Sequence, residues 1–443
     1  MPSFSNELPQ SGRTDFRFLD RSAIEAAQLS KLWSLLAAIL PANPFYTRKL
    51  SAAGMDWRPD RLADLAGTVP FTTKRELLED RIANPPYGTD LTFPPEAYVR
   101  CHQTSGTTAM PIRWLDTPES WNCIVESWLE IFAAAGVMPR DRFFFAFSFG
   151  PFLAFWPALE AAGRLGCFLF PGGAMSTSAR AQAILDNGIT VLCCTPTYAQ
   201  HLGEVANEKG LDLTRSRLRL VVVAGEAGGS IPTTRSRIER LWPGSRVFDH
   251  YGMTEVGPVT YQCPVHPGVL HVMESTCFPE IVHPQTGEAA GPGETGELVL
   301  TTLDRIGSPL LRYRTGDLVK ARPPGVCDCG RSELALEGGI LGRSDDMVAV
   351  RGIKVYPSLV EEVVRAFPEV LEYCVHVDCR GALVELSLDV EATGESGAVD
   401  SLPARLGDSF QQALNLRVPV RLVGAGSLPR FEMKAQRWIR SGT

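Results

Sequence analysis

The chain of 443 residues has no long run of one charge sign, and its formal net charge is only −7. A protein that coats nucleic acid needs clustered lysine and arginine to neutralise phosphates, so that class is set aside. No stretch reaches the roughly 18–20 apolar residues that one helix needs to cross a bilayer. The most apolar segment, Phe143 to Phe170, is broken by Pro151, Pro157, Glu160 and Arg164, as a buried core or pocket wall would be. The opening residues MPSFSNELPQSGRTDFRF lack the charged-then-apolar layout of a signal peptide. Eleven cysteines in a chain of this size do not make a dense disulfide scaffold. They are expected as thiols or metal ligands in a reducing cytoplasm, with no membrane and no nucleic-acid partner.

What is present is ample core material. Hydrophobic residues make up 44% and charged residues 21%, a globular balance, and the length calls for more than one domain. Arg21 to Leu40 carries helical apolar spacing that Pro41 and Pro44 end. Short apolar runs then alternate with helical stretches: FFFAF (143–147), CFLF (167–170), ITVLCCT (189–195) and LRLVVVAG (218–225). Strands buried on both faces read this way, which predicts an α/β fold with mainly parallel sheet flanked by helices. From about Gly293 shorter strands and turns predict a β-rich subdomain, and a third texture begins near Arg343. The expected domains are a large one over 1–342 and a small, mobile α+β one over 343–443, with 391–401 as a polar loop.

One segment suits phosphate. His102 to Pro111 (HQTSGTTAMP) follows a strand-like AYVRC, and hydroxyls around a glycine let N–H and O–H groups converge on phosphate oxygens. The Gly-Lys-Ser/Thr ending of a Walker loop is missing. Further along come DHYGMTE (249–255), YRTGD (313–317), GRSDD (342–346), Arg351-Gly352 and PRFEMKA (429–435).

In this order the segments resemble the core motifs of the adenylate-forming superfamily of acyl-CoA synthetases, luciferases and peptide-synthetase adenylation domains. VRCHQTSGTT and GRSDDMVAVRGIKVYPSLVEEV are most similar to the phenylacetate–coenzyme A ligase branch. The resemblance runs from about residue 20 to 440. It implies that a carboxylic acid attacks the α-phosphate of ATP, pyrophosphate leaves, and the acyl-AMP passes its acyl group to the thiol of coenzyme A. It also implies residue roles. Thr104, Ser105, Thr107 and Thr108, with the amide of Gly106, would hold the triphosphate; Thr254 would touch the α-phosphate. Glu255 would hold Mg2+, a hard ion suited by a carboxylate. Tyr251 would lie on the adenine face, Asp249 would accept from the adenine amino group, and Gly252, Gly225 and Glu226 would line the same end. Asp317 would take both ribose hydroxyls, and Arg343 would pair with ribose or phosphate. Asp345 would be the hinge of the small domain, Gly352 would open the thioester tunnel, and Lys434 would stabilise charge developing during adenylation.

The same resemblance puts the acid pocket at FSFGPFLAFW (147–156), with Phe147, Phe149, Gly150 and Trp156. Aromatic rings around a glycine favour a flat aryl or arylacetic acid. A close cysteine pair, Cys327 and Cys329, plus Cys263 and a histidine can supply four tetrahedral ligands for a structural zinc. His266 and His271 both compete for the fourth place; the resemblance favours His271. The phosphate loop departs from the family pattern at Ala109, Met110 and Ile112, where glycine and lysine are usual; Arg113 is the nearest replacement cation. Two alternatives stay open: an adenylating enzyme that loads a carrier protein, and a nucleotide- or acyl-CoA-binding relative with impaired catalysis. A homodimer is compatible with the sequence.

Overall fold

The computed structural model describes residues 16–54, 59–104, 111–351, 353–380, 384–394, 396–431 and 434–442. The chain forms two compact units, residues 1–173 with 249–339, and residues 174–248 with 340–443. Residues 174–248 thus share a unit with everything after Ile340; the boundary expected at 342/343 concerns only the second of these segments.

The first unit opens on the helix Arg21–Ile39, started by Asp20, whose carboxylate accepts from the Ala23 amide. Its buried face, Ile24, Gln28, Leu32, Leu35, Leu36 and Ile39, follows helical spacing. The one polar member, Gln28, is satisfied by donating to the carbonyls of Glu274 and Cys277. A full capping box at Thr73 and Glu76 starts the helix Lys74–Ala83. The strands Arg100–Gln103 and Arg113–Asp116, which flank the expected phosphate loop in sequence, pair antiparallel as a hairpin. Strands Arg142–Phe145 and Phe168–Pro171 pair parallel. Strands Cys277–Val282, Thr295–Thr302 and Tyr313–Lys320 pair antiparallel in sequence order. Another three-stranded sheet joins Thr260–Gln262, Val269–Val272 and Ala335–Glu337. The β-rich part, expected from about Gly293, thus begins earlier and includes Thr260–Gln262, Val269–Val272 and Cys277–Val282.

The second unit contains the parallel strands Val191–Cys194 and Leu220–Val223, buried at every residue, as continuous apolar runs require. Its later segment forms a four-stranded mixed sheet in the order Val420–Leu422, Glu385–Ala392, Val370–Asp378, Trp438–Ser441. The helices Pro357–Arg365 and Ser396–Leu414 contribute Val360, Val364, Leu402, Leu406 and Phe410 to the core beneath it. The polar loop expected over 391–401 is corrected here. A strand runs to Ala392 and a helix starts at Ser396, because the buried apolar face of that helix begins only at Leu402 and the residues just before it are mostly exposed. Among the described residues no single helix is long and apolar enough to cross a membrane, and no disulfide forms.

One buried contact fixes the seam between helices and sheet in the first unit. Arg312, with φ of 45°, donates to both carboxylate oxygens of Glu280 at 2.9 Å and to the carbonyls of Ala66 and Val69. Removing it strands a shielded carboxylate and two carbonyls. Arg312→Ala is therefore expected to cost about 3–5 kcal/mol in urea unfolding. Arg312→Lys should recover only part of that, because one ammonium cannot fill four acceptors in a planar fork. A loss below about 1 kcal/mol, the range of an exposed pair, would contradict this role.

Candidate active site

The DHYGMTE motif begins at Asp249, the last residue of the strand Arg246–Asp249 and the point where the first unit resumes. The Asp249 carboxylate accepts from the amide of His250, and its own amide donates to Gln262. His250 is buried; its Nδ1 lies 2.7 Å from the Thr260 carbonyl, so that nitrogen carries the proton and donates. Its ring meets Trp128 edge-on at 4.6 Å. Burial drives the His250 pKa down to about 4, against a smaller upward pull from the Thr260 carbonyl. Tyr251 donates through its hydroxyl to Asp317 at 2.5 Å, which joins the predicted adenine and ribose residues into one pair. Asp317 sits within the strand Tyr313–Lys320. Gly252 has no room for a side chain: a Cβ there would stand 2.8 Å from the Gly257 carbonyl oxygen.

Thr254 and Glu255, the pair expected to bear the chemistry, are held by their backbone. Arg305 donates to the carbonyls of Thr254 at 2.8 Å and Glu255 at 2.6 Å. The same guanidinium makes a two-pronged pair with Asp116 at 2.7 and 2.8 Å, and both residues are buried. Asp116 ends the strand Arg113–Asp116 of the phosphate-loop hairpin. One guanidinium therefore ties that hairpin to the Thr254–Glu255 turn. The Glu255 carboxylate is mostly shielded, and Lys74 approaches it at 3.9 Å. A shielded hard carboxylate with only a distant ammonium fits a Mg2+ ligand.

Of the predicted triphosphate residues, Thr104 is described, whereas Ser105, Gly106, Thr107 and Thr108 lie outside the described residues, with Ala109 and Met110. The base of the loop is closed: Thr104 donates its amide to the Ile112 carbonyl at 3.1 Å and accepts from the Ile112 amide through its hydroxyl. The Ile112 side chain is buried, so that position fills core and does not face a phosphate. Arg113 is exposed. The amide of Gln103 donates to the Pro151 carbonyl at 2.8 Å, which attaches the same hairpin to the expected acid pocket.

That pocket segment is an aromatic cluster. Phe147 meets Phe149 at 5.5 Å and Phe155 at 5.9 Å, and Phe149 meets Trp156 at 4.8 Å, all edge-on. The Trp156 indole N–H donates to the Gly150 carbonyl at 3.0 Å. Phe149 takes a φ of 46°, a strained conformation for a side chain of this size. Through Phe155 and Trp128 the rings continue to His250 of the nucleotide motif.

Also in this unit, Cys263, His271, Cys327 and Cys329 bring their ligand atoms within 4.8 Å of one another. Cys263 and Cys327 are 3.8 Å apart at sulfur, and Cys329 sulfur is 3.3 Å from His271 Nε2. Two thiolates on one tetrahedral zinc stand about 3.8 Å apart, given Zn–S bonds near 2.3 Å. His266 instead pairs with Asp328 at 2.7 Å. Burial, aided by the Arg331 charge, takes the His271 pKa down to about 4, leaving the neutral imidazole that a metal requires.

The second unit holds the other predicted residues. Lys434 is exposed, and a Cβ built on Gly225 (φ 98°) would lie 3.8 Å from its Cε, so the lysine stem runs beside that glycine. The Glu226 carboxylate accepts from the amides of Thr197 and Ala435. Arg343 pairs with Asp345 at 3.6 Å, and Arg440 donates to the Asp345 carbonyl. Gly352 lies outside the described residues. Three charged residues that matter here were not singled out by sequence reading. Arg305 and Asp116 lack motif neighbours, while Arg437 sits in the PRFEMKAQR segment and reads as part of a solvated basic tail. It is buried and bonded to Glu372.

These groups define an enzyme that binds AMP. Residues 90–302 match the AMP-binding enzyme family and residues 352–441 the AMP-binding enzyme C-terminal domain. The chain belongs to the adenylate-forming acid–coenzyme A ligases, in the phenylacetate–coenzyme A ligase family. It is 32% identical over 436 residues to phenylacetate-coenzyme A ligase of Thermus thermophilus, covering 94% of this chain and 95% of that one. Its identity to the Escherichia coli phenylacetate-coenzyme A ligase is 33%, over 94% of each chain. A crystal structure of 2-hydroxyisobutyryl-CoA ligase in the postadenylation state matches with a TM-score of 0.91 and 26% identity, covering 99% of this chain and 95% of that one.

The buried imidazole of His250 yields a signed pH dependence. Its folded pKa of about 4 lies below the ordinary 6.5, so the unfolded chain binds more protons between those values. The contribution is complete above pH 6.5 and is lost toward pH 4, at about 1.4 kcal/mol per pH unit. Urea titrations of the native chain and of His250→Asn should differ in slope over that window by about one proton. Parallel slopes would contradict it. Arg305→Ala is expected to slow acid-dependent ATP–pyrophosphate exchange by about a hundredfold, because the Thr254–Glu255 turn loses its anchor.

Proposed function

We propose that the acid activated by this chain is an aryl or arylacetic acid. The reaction itself is that of the family: the acid is joined to AMP with loss of pyrophosphate, and the acyl group then passes to coenzyme A. The observation that carries the aryl reading is the cluster of half-buried rings, Phe147, Phe149 and Trp156, continuous through Phe155 and Trp128 with the nucleotide motif. A flat ring gains edge contacts there beyond plain burial, which a long flexible chain does not. Relatives named as phenylacetate-coenzyme A ligases support the same reading.

Within the site, Thr254 and Glu255 would face the α-phosphate and Mg2+, and the Tyr251–Asp317 pair would position adenine and ribose. The metal would spread the charge of the leaving pyrophosphate. Arg343 would neutralise further charge. Residues 343–443 would act as a small mobile domain turning at Asp345, with Lys434 serving adenylation and the Gly352 region serving thioester formation. Coenzyme A is the acceptor that the relatives' names support; loading of a carrier protein is the alternative. A cytoplasmic location and a homodimer are consistent with the composition.

A structural zinc on Cys263, His271, Cys327 and Cys329 is part of this reading, supported by the tetrahedral spacing of the ligand atoms. Four protein ligands leave no open position, so this ion would hold the fold and take no part in the reaction.

The test is pyrophosphate release across a panel of aryl, arylacetic, short aliphatic and long-chain acids, with free coenzyme A or a carrier protein as acceptor. Arylacetic and aryl acids should be fastest, and Trp156→Ala should raise their KM by about tenfold, equivalent to one aromatic contact. Preference for a long-chain acid would overturn the reading. Metal analysis should find about one equivalent of zinc, lost in Cys329→Ser and His271→Ala but kept in His266→Ala.

A further inference from the structure

The two groups that hold the lysine loop differ in kind. Arg437 is buried and bonded to both oxygens of Glu372 at 2.7 and 3.1 Å, with Glu361 at 3.6 Å and the Thr197 hydroxyl at 3.3 Å. Glu361, in turn, is buried between arginines, and those charges outweigh burial to take its pKa to about 2. This end of the loop is set by a dense charged network drawn mainly from the late segment.

Among the described residues, the other end rests on one carboxylate. Glu226 follows Gly225, whose positive φ of 98° turns the chain and leaves open the space along which the Lys434 stem lies. Its Oε1 accepts from the amide of Thr197 at 2.9 Å, an N–H in the first turn of the helix Pro196–Glu208 that has no intrahelical partner. Its Oε2 accepts from the amide of Ala435 at 2.8 Å, the residue after the lysine. A carboxylate accepts only, and here each oxygen takes one backbone N–H. The helix N-terminus favours this charge in any case, so the carboxylate stays put whether or not the loop is present.

We propose that Glu226 is a positioning residue, a half-exposed clasp that fixes Lys434 for adenylation and releases it for the thioester step. The proposal rests on the reading of Lys434 as the adenylation lysine. It departs from the role that the family resemblance gave Glu226 at the adenine end, where loss of the side chain would weaken ATP binding. A clasp predicts a different signature. The loop would spend less time in place, so the rate of adenylation falls while KM for ATP stays, and the second half-reaction is untouched.

The experiment uses the full chain and the acid that gives the fastest pyrophosphate release in the panel above. ATP–pyrophosphate exchange reports the first half-reaction, and thioester formation from supplied acyl-adenylate and coenzyme A reports the second. Glu226→Ala should lower the exchange rate by about tenfold to a hundredfold, the scale of an ångström-sized misplacement. Glu226→Gln keeps one acceptor and should fall between it and the native chain. In both, KM for ATP and the thioester rate should stay within about twofold, well under the tenfold that one lost hydrogen bond to the nucleotide can cost. Adding Glu226→Ala to Lys434→Ala should slow exchange no further, since a residue acting only through the lysine has nothing left to position.

Loss of both half-reactions together, a raised KM for ATP, or additive effects in the double variant would each overturn the clasp. The underlying reading fails separately: Lys434→Ala with native exchange would remove the role of the lysine itself. If Lys434→Ala loses exchange and both Glu226 variants keep it, the clasp alone is wrong.

Discussion

The guanidinium of Arg305 is the contact on which the nucleotide end of the first unit depends. Its fork lies on the Asp116 carboxylate, and its remaining nitrogen reaches the carbonyls of Thr254 and Glu255. Buried charges are costly unless paired and hydrogen-bonded, and this pair is both. The arrangement converts a sequence separation of 189 residues between Asp116 and Arg305 into a fixed distance. The phosphate-loop hairpin and the turn bearing the magnesium-type carboxylate cannot drift apart while the fork holds. Planar, two-pronged recognition of a carboxylate with donors to spare is what arginine offers and lysine does not.

Much of this was legible in the sequence, for identifiable reasons. The parallel strands show as unbroken apolar runs because both their faces are covered, as at Leu220–Val223. The site motifs stand out because each expected task restricts the residue type: a carboxylate where a hard cation is expected, at Glu255, and glycine where backbone crosses backbone, at Gly252. The zinc-type set was legible up to one ambiguity. Spacing alone leaves His266 and His271 equal, and only the register of Val269–Val272 against Thr260–Gln262 turns His271 toward the thiols.

What stayed hidden has a common cause. Arg305, Asp116, Arg437 and Glu372 act through partners far away in the chain, and a lone charged residue in a sequence reads as solvated. Burial is what gives such residues meaning, and burial is a property of the fold. The exposed start of the helix Ser396–Leu414 was misread for a related reason: before Leu402 it lies mostly outside the core and carries no apolar rhythm. Glu226 was read from its own loop, whereas the amide that its carboxylate holds lies 209 residues further on, beyond the reach of any local spacing.

A division of labour follows from these contacts. The groups that hold positions are buried and multiply bonded: Arg305 to Asp116, Arg437 to Glu372, Arg312 to Glu280. The groups assigned to chemistry are fixed through backbone instead, at the carbonyls beside Thr254 and Glu255 and at the amide after Lys434. Holding a reactive residue by its backbone leaves the side chain's charge uncommitted, as with exposed Lys434 and with Glu255, whose ammonium neighbour is 3.9 Å away. A side chain used for its own anchoring would have to break that anchor at the moment of reaction. Preorganised groups that need not rearrange are the ones that stabilise developing charge most effectively. Of the departures in the phosphate loop, Ile112 is committed to the core, while Lys434 is held in a way that leaves its ammonium exposed.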